Sequence, residues 1–232
     1  MKKHTASYTM IFAAALSLML AFPSALAEKA PTPSKAPVVT AAPISPKVMM
    51  SRYQEVVKGT HSYIQCNPFD NTAAQALFTT EFKQWYGYEA EKPFTYTAFC
   101  ITDLDADGSP EIILKLSDDF GFELLRYENN AVYGFPFVAR AMIDITLNGD
   151  IYGSSGALDS SWYQIRFHEG QYAMQDTCRM QSTSSGGVQY FVKDKQVEKA
   201  TYESFVKGFA DKKRPTWMEF SLDNFAAVVS KF

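Results

Sequence analysis

The spacing of apolar residues changes twice along the chain. From Pro46 to about Gln65, Val48, Met49, Tyr53, Val56, Val57 and Tyr63 recur at near-helical intervals and predict a first helix. A second is predicted from Thr72 to Tyr86, with Ala76, Leu77, Phe82, Trp85 and Tyr86 on its apolar side. Asn67-Pro68-Phe69-Asp70-Asn71 separates the two, and Gly87 stands where a helix C-cap belongs. The period then drops to two. Phe94–Asp103 and Glu111–Ser117 read as strands around an acidic loop, and Phe122–Tyr127 and Ala131–Phe137 flank a tight turn at Glu128-Asn129-Asn130. Asn148-Gly149 is a stronger turn signal, because both residues tolerate the positive φ that a type I′ turn requires. Ser161–Phe167 and Gln171–Met174 flank Glu169-Gly170, and Val188–Val192 and Gln196–Val197 flank Lys193-Asp194-Lys195. Turn centres thus fall every 19 to 25 residues or so, the rhythm of a meander. Helical spacing returns at Thr201–Phe209 and Leu222–Phe232, the latter with Ser221 as N-cap and Asp223 in its first turn. The expected fold is α+β: N-terminal helices, an antiparallel sheet of about eight strands, C-terminal helices.

The first 47 residues fit none of these patterns. Lys2 and Lys3 precede an apolar run, Met10–Phe22, then Pro23-Ser24 and the small-x-small triplet Ala25-Leu26-Ala27. That order predicts a signal peptide over 1–27, cleaved before Glu28. The run is shorter than the roughly 20 residues a membrane span needs, and no cysteine follows it to carry a lipid. Residues 28–47 repeat proline among alanine and threonine, which predicts an extended linker. The rest, 48–232, is expected to be a single domain, secreted or held at the cell surface, with no membrane insertion after cleavage.

Losing Lys2 and Lys3 would move the formal charge from −3 to −5. With no basic run, nucleic acid and anionic membranes are poor partners. Cys66, Cys100 and Cys178 are an odd set, so export permits one disulfide with a thiol left over, or none at all.

Explicit chemistry lies in one segment, Asp103-Leu-Asp105-Ala-Asp107-Gly108-Ser109-Pro110-Glu111. Carboxylates at alternate positions converge only if the backbone curls around a common centre, and Gly108 allows the sharp turn. Asp103, Asp105, Asp107, the Ser109 carbonyl and Glu111 form a hard-oxygen set suited to Ca2+. It is not a complete EF-hand: the twelfth position is Leu114, and the flanks read as strands. Aspartate and glycine also favour plain β-turns, but clustered carboxylates repel without a cation. The expectation is a structural Ca2+ with a Kd on the order of 0.1–1 mM.

The stretch FCITDLDADGSPEIILKL resembles the signature of uncharacterised secreted and lipoprotein-like proteins of Firmicutes, common in gut Clostridia. The ending KDKQVEKATYESFVKGF is similar to theirs, a hairpin followed by a Tyr/Phe-rich helix. The resemblance implies the strand–loop–strand calcium site and no reaction. Many such proteins are lipid-anchored, a pattern from which this chain departs.

No hydrolase signature is present: no H-E-x-x-H, C-x-x-C, G-x-S-x-G or P-loop. His61, on or near the first helix, reads as a polar surface or capping residue, His168 lies at the expected hairpin turn beside Glu169-Gly170, and Cys100 lies in an apolar strand. A carboxylate pair for hydrolysis of glycans or peptidoglycan could come from Glu81, Glu89, Glu91, Asp118 or Asp119, without geometry to select it. Trp85, Tyr86, Tyr88, Phe94, Tyr96, Trp162 and Tyr163 could stack on sugars or fill a β-rich core. The expected function is a non-enzymatic secreted domain that binds an extracellular glycan or protein, with a secreted hydrolase as the alternative.

Overall fold

In the computed structural model the described residues are 45–66, the strand backbones at 73–77, 84–85 and 88–89, then 94–117, 120–168 and 170–232. The expected signal peptide and nearly all of the linker lie outside them. The linker's last three residues do not: after Ser45, helix α1 (Pro46–Val57) begins on Pro46, whose fixed φ and missing N–H suit a first helical turn. It stops well before Gln65. Gly59 takes φ 71, its N–H donates to the Val56 carbonyl, and the chain turns into strand β1 (Tyr63–Cys66).

The second expected helix is also corrected. Within Thr72–Tyr86 the described residues are strands, β2 (Ala73–Leu77) and β3 (Gln84–Trp85), the latter paired with β4 (Tyr88–Glu89). β2 lies antiparallel on β1, with Tyr63 opposite Leu77, so sheet pairing overrides the helix propensity of Ala-Ala-Gln-Ala-Leu.

The remaining strands follow the expected alternation but form two sheets. In the first, β5 (Tyr96–Thr102), β6 (Glu111–Leu116), β7 (Gly121–Glu128) and β8 (Ala131–Val138) make an antiparallel meander. β1 joins parallel to β8, and β15 (Met218–Glu219) closes the other edge, giving the order β15-β5-β6-β7-β8-β1-β2. A 3-10 turn at Ala139–Ala141 then leads into the second sheet. It contains β9 (Asp144–Ile145), β10 (Asp150–Ser154), β11 (Ser160–His168), β12 (Gln171–Ser182), β13 (Val188–Val192) and β14 (Lys195–Val197). Every pair in it is antiparallel, in the order β14-β13-β12-β11-β10-β9. Among the described residues the architecture is α+β, with a seven-stranded and a six-stranded sheet, and the small β3–β4 pair beside them, in place of one sheet.

Among the described residues, three cores bind these elements into layers. Phe99, Ile112, Leu114 and Leu125 of the first sheet pack against Met50, Tyr53 and Val56 of α1 and against Phe225 and Val229 of α3 (Leu222–Val229). The opposite face, with Cys100, Ile113, Leu124, Phe135 and Phe137, meets Ile151, Tyr163, Ile165 and Phe167 of the second sheet. The outer face of that sheet, with Trp162 and Cys178, carries α2 (Lys199–Ala210) through Tyr202 and Phe209. Trp162 stacks on Phe209 with ring centres 4.3 Å apart and planes 5° from parallel. Ser221 caps α3 as expected, accepting the Asn224 N–H at 3.1 Å.

Candidate metal site

The acidic loop joins β5 to β6 and is shaped by its own aspartates. Asp103 accepts the N–H groups of Asp107 (3.1 Å) and Gly108 (2.9 Å), and Asp107 accepts that of Ser109 (2.7 Å). Ala106 (φ 58) and Gly108 (φ 87) take left-handed conformations, which curl the chain. Leu104, 1% exposed, points into the core between the sheets and anchors the loop. At the exit, the Tyr53 hydroxyl of α1 donates to the Pro110 carbonyl (3.3 Å) and accepts the Tyr127 N–H (2.7 Å).

Asp103, Asp105 and Glu111 each bring a carboxylate oxygen within 4.8 Å of the others, close enough to hold a metal ion. Two oxygens on opposite sides of a calcium ion are separated by roughly that distance. Glu111 is fully buried, accepts the Leu104 N–H at 2.8 Å, and burial pushes its carboxyl up to about 8 against that bond and a nearby arginine. Burial likewise raises Asp105, partly offset by Arg126. The Asp105 side chain is 7% exposed, and among the described residues its Oδ1 has no hydrogen-bond partner. Of the other expected ligands, Asp107 turns toward Arg126, and Ser109 enters the loop's bonding as a donor.

Arg126 on β7 is the residue the sequence reading passes over. Ile112 pairs with Leu125, so the next rung faces Arg126 toward Glu111. Its guanidinium reaches Glu111 (2.5 Å), Asp107 (2.7 Å) and Asp105 (3.4 Å), and lies 4.6 Å from the centre of the Phe167 ring. Burial pulls Arg126 down, but the bond to Asp107 and the charges of Glu111 and Asp105 raise it overall. The missed signal is a lone arginine inside the apolar run Phe-Glu-Leu-Leu-Arg-Tyr, which folds only if acids meet it. One guanidinium among Asp103, Asp105, Asp107 and Glu111 leaves a formal −3 if all four are ionised.

The other candidates separate. His168 is exposed at the end of β11, His61 follows α1, and neither belongs to the acidic group. Glu81, Glu91, Asp118 and Asp119, with the side chain of Glu89, lie outside the described residues, as do the side chains of Trp85, Tyr86 and Tyr88. Phe94, Trp162 and Tyr163 are buried, and Tyr96 packs against the α1–α3 core, so these four aromatics serve packing. All three cysteines are buried and unbridged. No family model, curated protein or solved structure matches the chain.

Proposed function

We propose that this chain is an exported, non-enzymatic module of the cell exterior whose acidic loop holds one Ca2+, with a glycan or protein outside the cell as its partner. The observation that carries the metal is the convergence of Asp103, Asp105 and Glu111 within 4.8 Å, with more negative charge than Arg126 neutralises. Oxygen-only donors and an extracellular setting favour calcium over softer metals, and over magnesium, which holds its water more tightly. Export rests on the leader-like residues 1–27. Burial of Trp162 and Tyr163 removes one face offered for sugar stacking and weights the partner toward protein.

The ion's role would be structural. The loop is seated where the two sheets meet, with Leu104 between them and Phe167 of the second sheet stacked on Arg126. An ion there ties β5 and β6 to a fixed backbone path. With a Kd on the order of 0.5 mM, about 10 mM Ca2+ stabilises the fold by about 2 kcal/mol, or roughly 4–7 °C in Tm for a domain of this size. Thermal melts of wild type and Asp105→Ala test this. Wild type is expected to gain that shift and the variant to lose it; an unchanged wild-type Tm rejects the site.

A further inference from the structure

Arg126 bears directly on how an ion would enter. Its Nη1 lies 2.5 Å from Glu111 Oε1 and 3.4 Å from Asp105 Oδ2, so one nitrogen engages two of the three carboxylates that would ligate the metal. A cation held by these carboxylates competes with that N–H for them and repels its charge. The guanidinium has two holds outside the triad: Nη2 sits 2.7 Å from Asp107 Oδ2, and Phe167 lies beneath the plane. Asp105 keeps a spare acceptor, since among the described residues its Oδ1 has no hydrogen-bond partner, on a side chain only 7% exposed.

We infer that Arg126 is a tethered competitor for the metal, holding the empty loop together and releasing Glu111 and Asp105 when a divalent cation enters. The inference rests on the metal reading above and adds the regulation of that site. In the empty state the arginine lowers the mutual repulsion of the carboxylates, so the loop keeps its shape without an ion. On binding, it withdraws Nη1 while Asp107 and Phe167 retain the side chain. The ion must therefore displace a positive charge, which weakens its affinity and keeps the site in the range of a concentrated extracellular ion.

Calcium titration calorimetry on the full chain as wild type, Arg126→Gln and Arg126→Lys tests this. Arg126→Gln is expected to melt lower without calcium yet bind calcium about tenfold tighter or more, with Arg126→Lys between the two. Equal or weaker binding by a folded Arg126→Gln overturns the competition while leaving the site standing. No binding by wild type or either variant rejects the site itself. Should Arg126→Gln not fold, wild type carrying 15N-labelled arginine decides. Saturating calcium is expected to shift the Arg126 side-chain resonances, and unmoved resonances overturn the inference.

Discussion

Glu123 is a carboxylic acid with no access to water. It lies on the face of β7 that meets α1 and α3, is 0% exposed, and shares its surroundings with Tyr63, Tyr96 and Gln65. Gly134 on the neighbouring strand makes room, because a Cβ there would overlap the Glu123 carboxylate and the Tyr63 ring. Burial raises the carboxyl well above its ordinary range; Gln65 and Tyr63 lower it only in part. Among the described residues no hydrogen bond of good geometry reaches either Glu123 oxygen or leaves the hydroxyls of Tyr63 and Tyr96. Burial therefore favours the neutral form of the side chain. For a folded-state pKa above the unfolded one, stability is complete below the unfolded value, about 4.3 for glutamate, and falls as pH rises toward the folded value. Glu123→Gln keeps the shape and cannot ionise. Urea unfolding of both proteins without calcium at pH 5 and pH 8 is expected to show the balance moving toward the glutamine form at the higher pH, by no more than about 1.4 kcal/mol per pH unit. Subtracting the two proteins removes the other carboxylates from the comparison. A difference that stays constant across this range would show that Glu123 ionises as freely folded as unfolded.

At the scale of elements, the turn before β10 does more than reverse the chain. Gly149 has φ 74, and a Cβ on it would collide with the Leu104 carbonyl of the acidic loop. Gly149→Ala thus combines left-handed strain with displacement of the loop backbone, and is expected to cost about 2–4 kcal/mol. Gly186→Ala is the control: φ is 82 but nothing lies within 4 Å, so only the conformational cost of about 1–2 kcal/mol applies. Denaturant melts measure both, and equal losses would show that the Leu104 contact is relaxed without cost. Asn148-Gly149 was legible as a turn from its residue types; its contact with a loop more than forty residues away was not. The same division runs through the fold. Asn129-Asn130, Gly170 and Lys193-Asp194 adopt the positive φ that turn chemistry anticipates, and β13 spans Val188–Val192 as alternation placed it. What local pattern cannot encode is which hairpins share a sheet, so one meander was expected where Ala139–Ala141 divides the strands into two. Ala73–Leu77 reads as helix because alanine, glutamine and leucine favour it, and only its pairing with Tyr63–Cys66 decides otherwise. Within the site, Asp103, Asp105 and Glu111 were visible because their spacing is local. Arg126 was not, because a cross-strand partner is set by register.

Across the whole molecule the three cysteines report on two seams, Cys66 and Cys100 on one and Cys178 on the other. Cys66 donates to the Gly170 carbonyl at 2.8 Å, where the first sheet touches the β11–β12 turn of the second, and Cys100 lies in the core between the sheets. Cys178 lies beyond that core, under α2 with Trp162 and Phe209. Burial pushes all three thiols up, Cys66 and Cys100 to about 12 and Cys178 to about 11, so thiolate is scarce near neutrality and labelling requires local opening. Release of α2 exposes Cys178 alone, whereas Cys66 and Cys100 require the sheets to part. An ion in the acidic loop would sit at the seam between the sheets, beside Leu104, Phe167 and Arg126. Maleimide labelling in mild urea, read site by site by mass spectrometry, is therefore expected to find Cys178 reacting first. Calcium should slow Cys66 and Cys100 severalfold and leave Cys178 nearly unchanged. Equal slowing at all three would mean that the molecule opens as one cooperative unit, and the acidic loop would then stabilise the whole fold without clamping the sheets to each other.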